Sequence, residues 1–166
     1  MKIKNMIALF EEHKPKTVRE LKDLGFSVKR VGSGAFRSCF IIMQKHDVEN
    51  CIVVKIPITK PGSTRGNLEH AQHEIATIRK INKQKRFTAL RPFMPKILYA
   101  DYRHGVIVMP YYYPVRETRG FIVSVVLGRV ADAVFDDRNN EERDISPWNI
   151  RMNKCGEYKL IDLGLI

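Results

Sequence analysis

The chain has 166 residues, 44% of which are hydrophobic, and it carries a net charge of +11. A chain of this length forms one globular domain or two small lobes, and its apolar content excludes an intrinsically disordered protein. Its apolar runs stay well below the roughly 20 residues of a membrane-spanning helix, and its N-terminus lacks the cleavage site of a signal peptide.

The positive charge indicates a polyanionic partner, such as a nucleotide, an acidic protein surface or a nucleic acid. No zinc-finger spacing or aromatic-basic RNA motif accompanies the charge, so nucleic acid has no support from a motif. A basic surface that is simply solvated is equally open. The three cysteines form no Cys-x-x-Cys pair, which favours a reducing compartment, and we expect a cytoplasmic protein without membrane contact.

The N-terminal segment, residues 1–24, predicts helix that is interrupted at Pro15. Thr17 is suited to cap the second helical part, because Glu20 stands three residues later as its capping-box partner. Gly25 is a natural end for this part of the chain.

The following segment changes to the alternation that is typical of β-strands. Residues 26–43 alternate around a central Gly-x-Gly, which predicts two strands joined by a tight turn. A β-branched strand follows at 52–58, and an amphipathic helix at 67–83. Residues 96–101 and 105–109 predict two more strands.

The last third of the chain predicts a connector, a helix and a hairpin. Residues 110–114 form a stiff aromatic connector, residues 117–135 are helical, and two short strands flank residues 154–156. This element order indicates an α+β fold with a mostly antiparallel sheet in its first half. The helix at 117–135 is apolar almost all round, so we expect a partner or a second copy of the chain to cover it.

Two patterns in the first half suit phosphate binding. Lys55 lies inside an apolar strand, where a bare ammonium is costly to bury, and Glu74 on the following helix could neutralise it. The alternative is that both side chains are solvated. A glycine-rich turn could bring backbone N–H groups close to a phosphate, although a Gly-x-Gly taken alone is more typical of a plain hairpin. Its residues are Gly32, Ser33, Gly34, Ala35 and Phe36.

Two patterns near the C-terminus suit catalysis and metal binding. Asp144 and Asn149 share one loop, where a carboxylate could orient a hydroxyl and an amide oxygen could ligate magnesium. Asp162 follows a short strand and could hold a metal that bridges phosphate oxygens. Ordinary turns explain each of these patterns if it is taken alone.

The order of these four patterns resembles the signature of the protein kinase superfamily. VVKIP is similar to the VAIK strand of that family, HEIATI to its helix C, ERDISPWNI to its HRD catalytic loop and DLG to its DFG motif. The resemblance implies a protein kinase-like fold. It divides the chain into an N-terminal helical extension at 1–25, a kinase N-lobe and hinge at 26–113, and a truncated C-lobe at 114–166.

The resemblance also implies roles for individual residues. Lys55, paired with Glu74, would hold the α and β phosphates of ATP, and Asp144 would be the catalytic aspartate. Asn149 and Asp162 would hold Mg²⁺. The residues that would bind the nucleotide are Gly32, Ser33, Gly34, Ala35, Phe36, Val53, Lys55, Met109, Pro110 and Tyr112.

Three departures from the family pattern keep the function open. Arg37 stands where the glycine loop of the family has its third glycine. Ser146 replaces the usual catalytic-loop lysine, as in RIO-type atypical kinases and small-molecule phosphotransferases. Only two residues follow Gly164, so the platform that holds a protein substrate is not expected, and the chain resembles a minimal kinase of a phage or other virus.

The resemblance favours an ATP-dependent kinase that phosphorylates a Ser or Thr hydroxyl of a protein, or of the chain itself. The alternative is a pseudokinase that binds nucleotide or a partner kinase without transferring phosphate. A small-molecule phosphotransferase is a third reading. A homodimer through the truncated C-lobe would cover the apolar helix.

Overall fold

The fold is α+β, with a five-stranded antiparallel sheet and four α-helices in the described residues. The structure is a computed structural model, and it describes residues 2–33, 37–43, 51–58, 64–135 and 145–162. The chain divides into two compact units, of which the first comprises Met1–Ile75 and Lys96–Tyr111 and the second comprises Ala76–Pro95 and Tyr112–Ile166. The division into extension, N-lobe and C-lobe stays a prediction.

The first unit contains the large sheet, in the strand order β1-β2-β3-β5-β4. Every neighbouring pair in this sheet is antiparallel. Its elements are α1 (Ile3–His13), α2 (Val18–Asp23), β1 (Ser27–Ser33), β2 (Arg37–Met43), β3 (Ile52–Pro57), the first part of α3 (Thr64–Lys83), β4 (Tyr99–Asp101) and β5 (Val106–Pro110).

The N-terminal helices confirm the capping box that the sequence predicts. The Glu20 N–H donates to Thr17 Oγ1 over 3.2 Å, and the Thr17 N–H donates to Glu20 Oε2 over 3.2 Å. These two bonds satisfy N–H groups that have no partner within the helix. Gly25 follows with a φ of 82°, the left-handed conformation that ends a helix.

The strand register sorts the side chains of the large sheet onto two faces. Directly opposed residues share a face, and Val54 is opposed to Phe40 on one side and to Val108 on the other. Helices α1 and α2 cover this first face, where Phe10 stacks on Phe26 and meets the Tyr99 ring. The buried core there consists of Met6, Phe10, Leu21, Phe26, Ile42, Ile52, Val54, Ile56, Val106 and Val108.

The second face of the sheet lies against the start of α3. Asn67 Nδ2 in the first turns of α3 donates to the carbonyl of Ile58 over 2.6 Å, which ties the helix to the end of β3. The turn before β5 passes so close to α3 that a Cβ on Gly105 would lie 2.8 Å from the Cβ of Ala71 and 2.9 Å from Cγ of Pro57. Only glycine fits at this position, where φ is 67°.

The second unit contains the rest of α3, the helix α4 (Glu117–Phe135) and a small antiparallel sheet of β6 (Tyr113–Pro114), β7 (Ile150–Met152) and β8 (Tyr158–Leu160). Helix α4 has the bounds that the sequence predicts. Short 3-10 helices at Lys85–Phe87, Arg91–Phe93 and Pro147–Asn149 join these elements. No helix among the described residues has the length and apolar character needed to cross a membrane.

Arg91 closes the C-terminal end of α3 within this unit. Its Nε donates to the carbonyl of Ile81 over 3.2 Å, and its Nη2 donates to the carbonyl of Gln84 over 2.9 Å. The last carbonyls of a helix lack partners within the helix and carry partial negative charge, so a guanidinium both pairs with and neutralises them. The basic residues around 79–91 are thus in part structural.

Candidate functional site

Three buried charged side chains meet on the second face of the large sheet. Lys55 on β3 donates from Nζ to Glu74 Oε1 on α3 over 2.9 Å, and Arg37 on β2 forms an ion pair with the other carboxylate oxygen of Glu74. The residues are only 3%, 0% and 5% exposed for Lys55, Glu74 and Arg37. The contact between Lys55 and Glu74 that the sequence predicts is therefore present, and both side chains are buried rather than solvated.

The position of Lys55 follows from the alternation of β3. The residues on either side of it, Val54 and Ile56, belong to the apolar core, so Lys55 must project from the opposite face. There it is opposed to Cys39 on β2 and to Ile107 on β5. A buried ammonium is tolerated only with a partner of opposite charge, and α3 supplies that partner from above the same face.

Several residues of the predicted nucleotide site share this face of the sheet. Val53 is two residues from Lys55 on β3 and is opposed to Met109, which is buried on β5. Pro110 ends β5 and is opposed to Ile52, so it lies on the first, apolar face and not beside Lys55. Lys55, Val53 and Met109 therefore line one continuous side of the central strands.

The predicted glycine-rich turn is described only in part. Gly32 and Ser33 end β1, where they are opposed to Cys39 and Ser38 of β2. Gly34, Ala35 and Phe36 lie outside the described residues. The chain between Ser33 and Arg37 therefore links β1 to β2, the two strands that precede the lysine strand.

The second unit places Asn149 and Asp162 at one end of the small sheet. The N–H of Ile161 donates to the carbonyl of Asn149 over 2.9 Å, so the residue before Asp162 is bonded to the predicted metal ligand in the loop. An amide and a carboxylate offer the oxygen donors that Mg²⁺ prefers, and this donor set fits the ion. Within the described residues, no group of three or more His, Cys, Asp and Glu side chains forms a metal site.

The loop that carries Asn149 is held close to α4. Ser146 caps its short helix by accepting from the N–H of Trp148, and a Cβ added to Gly120 of α4 would lie 3.1 Å from the carbonyl oxygen of Pro147. This approach leaves little room for a larger residue at 120.

Asp144, the predicted catalytic aspartate, lies outside the described residues, as do Leu163 and Gly164. Tyr112 is buried in this unit.

Arg37 is the residue whose position the sequence does not determine. Its place after the glycine-rich turn suggests a contact with phosphate or a clash with it. Instead, its side chain turns inward to Glu74. The alternation of side chains along β2 gives the signal for this contact once β2 is paired with β3. Arg37 and Cys39 share a face of β2, and Cys39 is opposed to Lys55, so Arg37 lies on the face that Glu74 covers.

Comparison with known proteins adds little to this geometry. No protein-family model matches the sequence, and no curated protein is detectably similar to it. The crystal structure of Cex1p is similar to the chain with a TM-score of 0.47 and 18% sequence identity, covering 89% of this chain and 28% of that one. A similarity of this size supports no statement about function.

Proposed function

We propose that the protein has a kinase-like fold and binds Mg-ATP in order to transfer the γ-phosphoryl group to a Ser or Thr hydroxyl of a protein or of the chain itself. The observation that carries the proposal is the buried contact of 2.9 Å between Lys55 on a central strand and Glu74 on the following helix. The glycine-rich turn precedes this pair along the chain, and the Asp144 loop and Asp162 follow it.

The energetics of the pair support a functional role. Burying an ammonium and a carboxylate costs several kcal/mol per ion, and their attraction often only offsets that cost. A pair of well-packed apolar residues would stabilise the sheet at least as well. A lysine held in one position by Glu74, on a sheet face with Val53 and Met109, is instead suited to an anionic ligand with a planar, apolar portion.

The proposed chemistry divides the remaining roles among the polar residues. Asn149 and Asp162 would hold Mg²⁺, which neutralises charge on the phosphate oxygens. Asp144 would orient the acceptor hydroxyl and accept its proton. The hydroxyl oxygen forms a bond to the γ-phosphorus, the bond from that phosphorus to the bridging oxygen breaks, and ADP leaves with that oxygen.

The proposal is tested by measuring binding and transfer separately. Mg-ATP should raise the thermal unfolding temperature of the wild type, and the rise should be smaller in Lys55→Met and in Asp162→Asn. Labelled γ-phosphate should appear on an added protein or on the chain itself with the wild type and not with Asp144→Asn. Asp23→Asn, on a helix of the apolar face, is the matched control and should behave as the wild type.

A nucleotide-binding pseudokinase is the second candidate, and the contact between Arg37 and Glu74 favours it. Because Glu74 pairs with both Arg37 and Lys55, it fixes the position of the Lys55 ammonium less firmly than it would in a pair with Lys55 alone. Arg37→Gly would then release Glu74 for Lys55 and raise the affinity for Mg-ATP. If the wild type and Arg37→Gly both bind nucleotide and neither transfers phosphate, the result supports the pseudokinase. If neither binds nucleotide, the result contradicts both candidates.

A further inference from the structure

A cluster of basic side chains covers the end of α3 and the 3-10 helix that follows it, within the second unit. No Asp or Glu occurs between Glu74 and Asp101 in the sequence. The basic cluster consists of the five exposed cations of residues 79–91, namely Arg79, Lys80, Lys83, Lys85 and Arg86. Among the described residues, no carboxylate forms an ion pair with any of these five side chains.

Helix geometry and one aromatic ring bring these cations together. Since an α-helix turns by about 100° per residue, Arg79, Lys80 and Lys83 lie within one sector of about 100° on α3, opposite its buried isoleucines. Lys80 Nζ lies 5.8 Å and Arg86 Cζ lies 4.6 Å from the centre of the Phe87 ring. The two charged groups are therefore no more than about 10 Å apart, and the cluster continues from the helix into the next turn.

Hydrogen bonds to Gln84 fix the end of the cluster. Arg86 Nε donates to Gln84 Oε1 over 3.1 Å, and Arg91 Nη2 donates to the carbonyl of Gln84 over 2.9 Å. Because Arg91 already pairs with the last carbonyls of α3, the other cations are more than the helix end requires. Within the described part of the chain, Arg86 donates only from Nε, so its two terminal nitrogens stay available to a ligand. A guanidinium that is held in place loses little freedom when it binds.

The cations of the cluster repel one another. Lys80 and Arg86 lie within the Debye length of about 10 Å at 0.1 M salt, so salt screens their repulsion only in part. Glu157 comes near this region through Lys159, which donates to the carbonyl of Pro92, but the Glu157 carboxylate is already paired with Lys159. A ligand with several negative charges at fixed intervals removes the repulsion, and it releases its own condensed counterions when it binds.

The absence of apolar groups from this surface selects among polyanions. Between residues 79 and 91, all of them described, every exposed side chain is polar or charged except the methyl group of Ala89. An acidic protein partner is held mainly by apolar and aromatic anchors, and an anionic membrane by apolar side chains that insert. A single nucleic acid strand stacks its bases on exposed aromatic rings, and the Phe87 ring is fully buried. The backbone of a double helix requires only positioned cations.

We propose that the basic cluster binds the phosphodiester backbone of double-stranded nucleic acid without reading its sequence. The proposal goes beyond the nucleotide chemistry and does not depend on it. Because the contacts are electrostatic and few, the dissociation constant at physiological salt is on the order of 10⁻⁴–10⁻⁶ M. The affinity falls steeply as the salt concentration rises.

Fluorescence anisotropy of a labelled DNA duplex, titrated with the full chain in the absence of ATP, tests the proposal. Between about 50 and 200 mM salt, the logarithm of the binding constant should fall linearly with the logarithm of the salt concentration. The slope should be about −3 to −4.5, as for three to five phosphate contacts. Two duplexes of unrelated sequence should bind equally well. Absence of binding at the lowest salt concentration overturns the proposal, and a preference for one sequence overturns recognition through the backbone.

Removing two cations locates the binding surface. Lys80→Gln combined with Arg86→Gln should weaken duplex binding by at least about tenfold and make the slope shallower by about 2. Arg19→Gln combined with Lys22→Gln is the matched control, because it removes one exposed arginine and one exposed lysine from α2 of the other unit. An equal loss in the control would show that overall charge binds the duplex, and it would overturn the assignment to the basic cluster.

A second pair of substitutions separates binding from structure. Lys83→Gln combined with Lys85→Gln changes two exposed side chains that form no hydrogen bond, ion pair or ring contact within the described residues. The loss of affinity and the change in slope should match those of the first pair, and far-ultraviolet circular dichroism confirms that each variant keeps its helices. Unchanged duplex binding in this variant would overturn the cluster as the binding surface.

Competition against the labelled duplex decides the class of partner. The competitors are a single-stranded DNA of the same length, polyglutamate, and vesicles of phosphatidylcholine and phosphatidylserine, each at the same concentration of negative charge. Unlabelled duplex should displace the labelled duplex more effectively than each of them. A competitor that equals or exceeds the unlabelled duplex would overturn the assignment to double-stranded nucleic acid.

Discussion

The two faces of the large sheet have opposite chemistry although the same strands build both. One face carries Ile42, Ile52 and Val54 against α1 and α2. The other carries Lys55 and Arg37 against Glu74 of α3. Along β3, the alternation of two residues places Lys55 between Val54 and Ile56 in sequence but on the far side of the sheet from them.

The contrast between the two faces separates apolar residues, whose burial stabilises the fold, from charged residues, whose burial does not. Burying apolar area contributes roughly 25 cal/mol per Å² and requires only matching shapes. Burying three charges costs free energy that their mutual attraction roughly offsets. The apolar face therefore accounts for most of the stabilisation of unit 1, and burial energy alone does not account for the charged face.

The largest expected effect is on the charged face. Glu74→Gln keeps the volume of the side chain but leaves two buried cations without a carboxylate, so we expect the free energy of unfolding to fall by about 3–5 kcal/mol. Urea unfolding measures this change. Glu12→Gln is the control, because Glu12 is 71% exposed on α1, and its effect should stay within about 0.5 kcal/mol.

Replacing all three charges sharpens the same prediction. A variant with Arg37→Met, Lys55→Met and Glu74→Leu should be close to the wild type in stability or above it, because no buried charge remains. The variant should also lose its affinity for Mg-ATP. If it is as unstable as Glu74→Gln, the charged face contributes to the fold itself and the contrast between the faces fails.

The next effect concerns the close approach of α3 to the charged face. Gly105→Ala combines a φ of 67° with a Cβ 2.8 Å from the Cβ of Ala71, and we expect a loss of about 2–4 kcal/mol. Gly25→Ala is the matched control, because its φ is 82° but no atom lies within 4 Å of the added Cβ. The difference between the two unfolding free energies isolates the packing. Equal losses of unfolding free energy in the two variants would show that α3 shifts to make room for the added Cβ at no measurable cost.

A smaller effect is expected on the apolar face. Ile42 is fully buried, and Ile42→Val removes one methylene group, which should cost about 0.5–1.5 kcal/mol. Because Ile42 projects away from Lys55, the affinity for Mg-ATP, measured by titration calorimetry, should not change. A change in that affinity comparable to the change in stability would show that the two faces are coupled.

The smallest effect lies at the edge of the apolar face and depends on pH. Burial alone would raise the pKa of Asp101, but hydrogen bonds from the side chain and backbone of His104 outweigh it, and the pKa is lowered from 3.8. The contact of Asp101 Oδ2 with His104 Nδ1 is 2.7 Å. A lowered pKa stabilises the folded state above the unfolded-state value, and this contribution disappears as pH falls through the folded-state value.

Asp101→Asn removes that contribution. The variant should be less stable than the wild type at neutral pH, and the difference should shrink as the pH falls below 3.8. Urea unfolding at several pH values measures the difference. A difference that is independent of pH would mean that His104 bonds to Asp101 without depending on its charge.

Much of the fold could be predicted from the sequence because local patterns determine it. The Thr17 capping box, the alternation on either side of the Gly-x-Gly and the apolar stripe of α3 each specify an element without reference to distant residues. The small β6 strand and the three 3-10 helices were not predicted, because each spans only two or three residues and depends on its neighbours.

The candidate site could be predicted only where one residue demands another. Lys55 in an apolar strand demands a carboxylate, and Glu74 on the next helix supplies it. Arg37 gave no such signal, because an arginine after a turn can be solvated without a partner. Only the pairing of β2 with β3 places it on the same face as Glu74. The roles of Asn149 and Asp162 depend on a ligand and stay predictions.

The packing of α1 and α2 has a practical consequence for fragments of this protein. Met6, Phe10 and Leu21 are fully buried against the sheet, so α1 and α2 are part of the hydrophobic core of unit 1. A fragment that began at Phe26 would present a flat row of isoleucine and valine side chains to water, and such surfaces aggregate. Expression, labelling and affinity tags are best placed so that these first two helices stay intact.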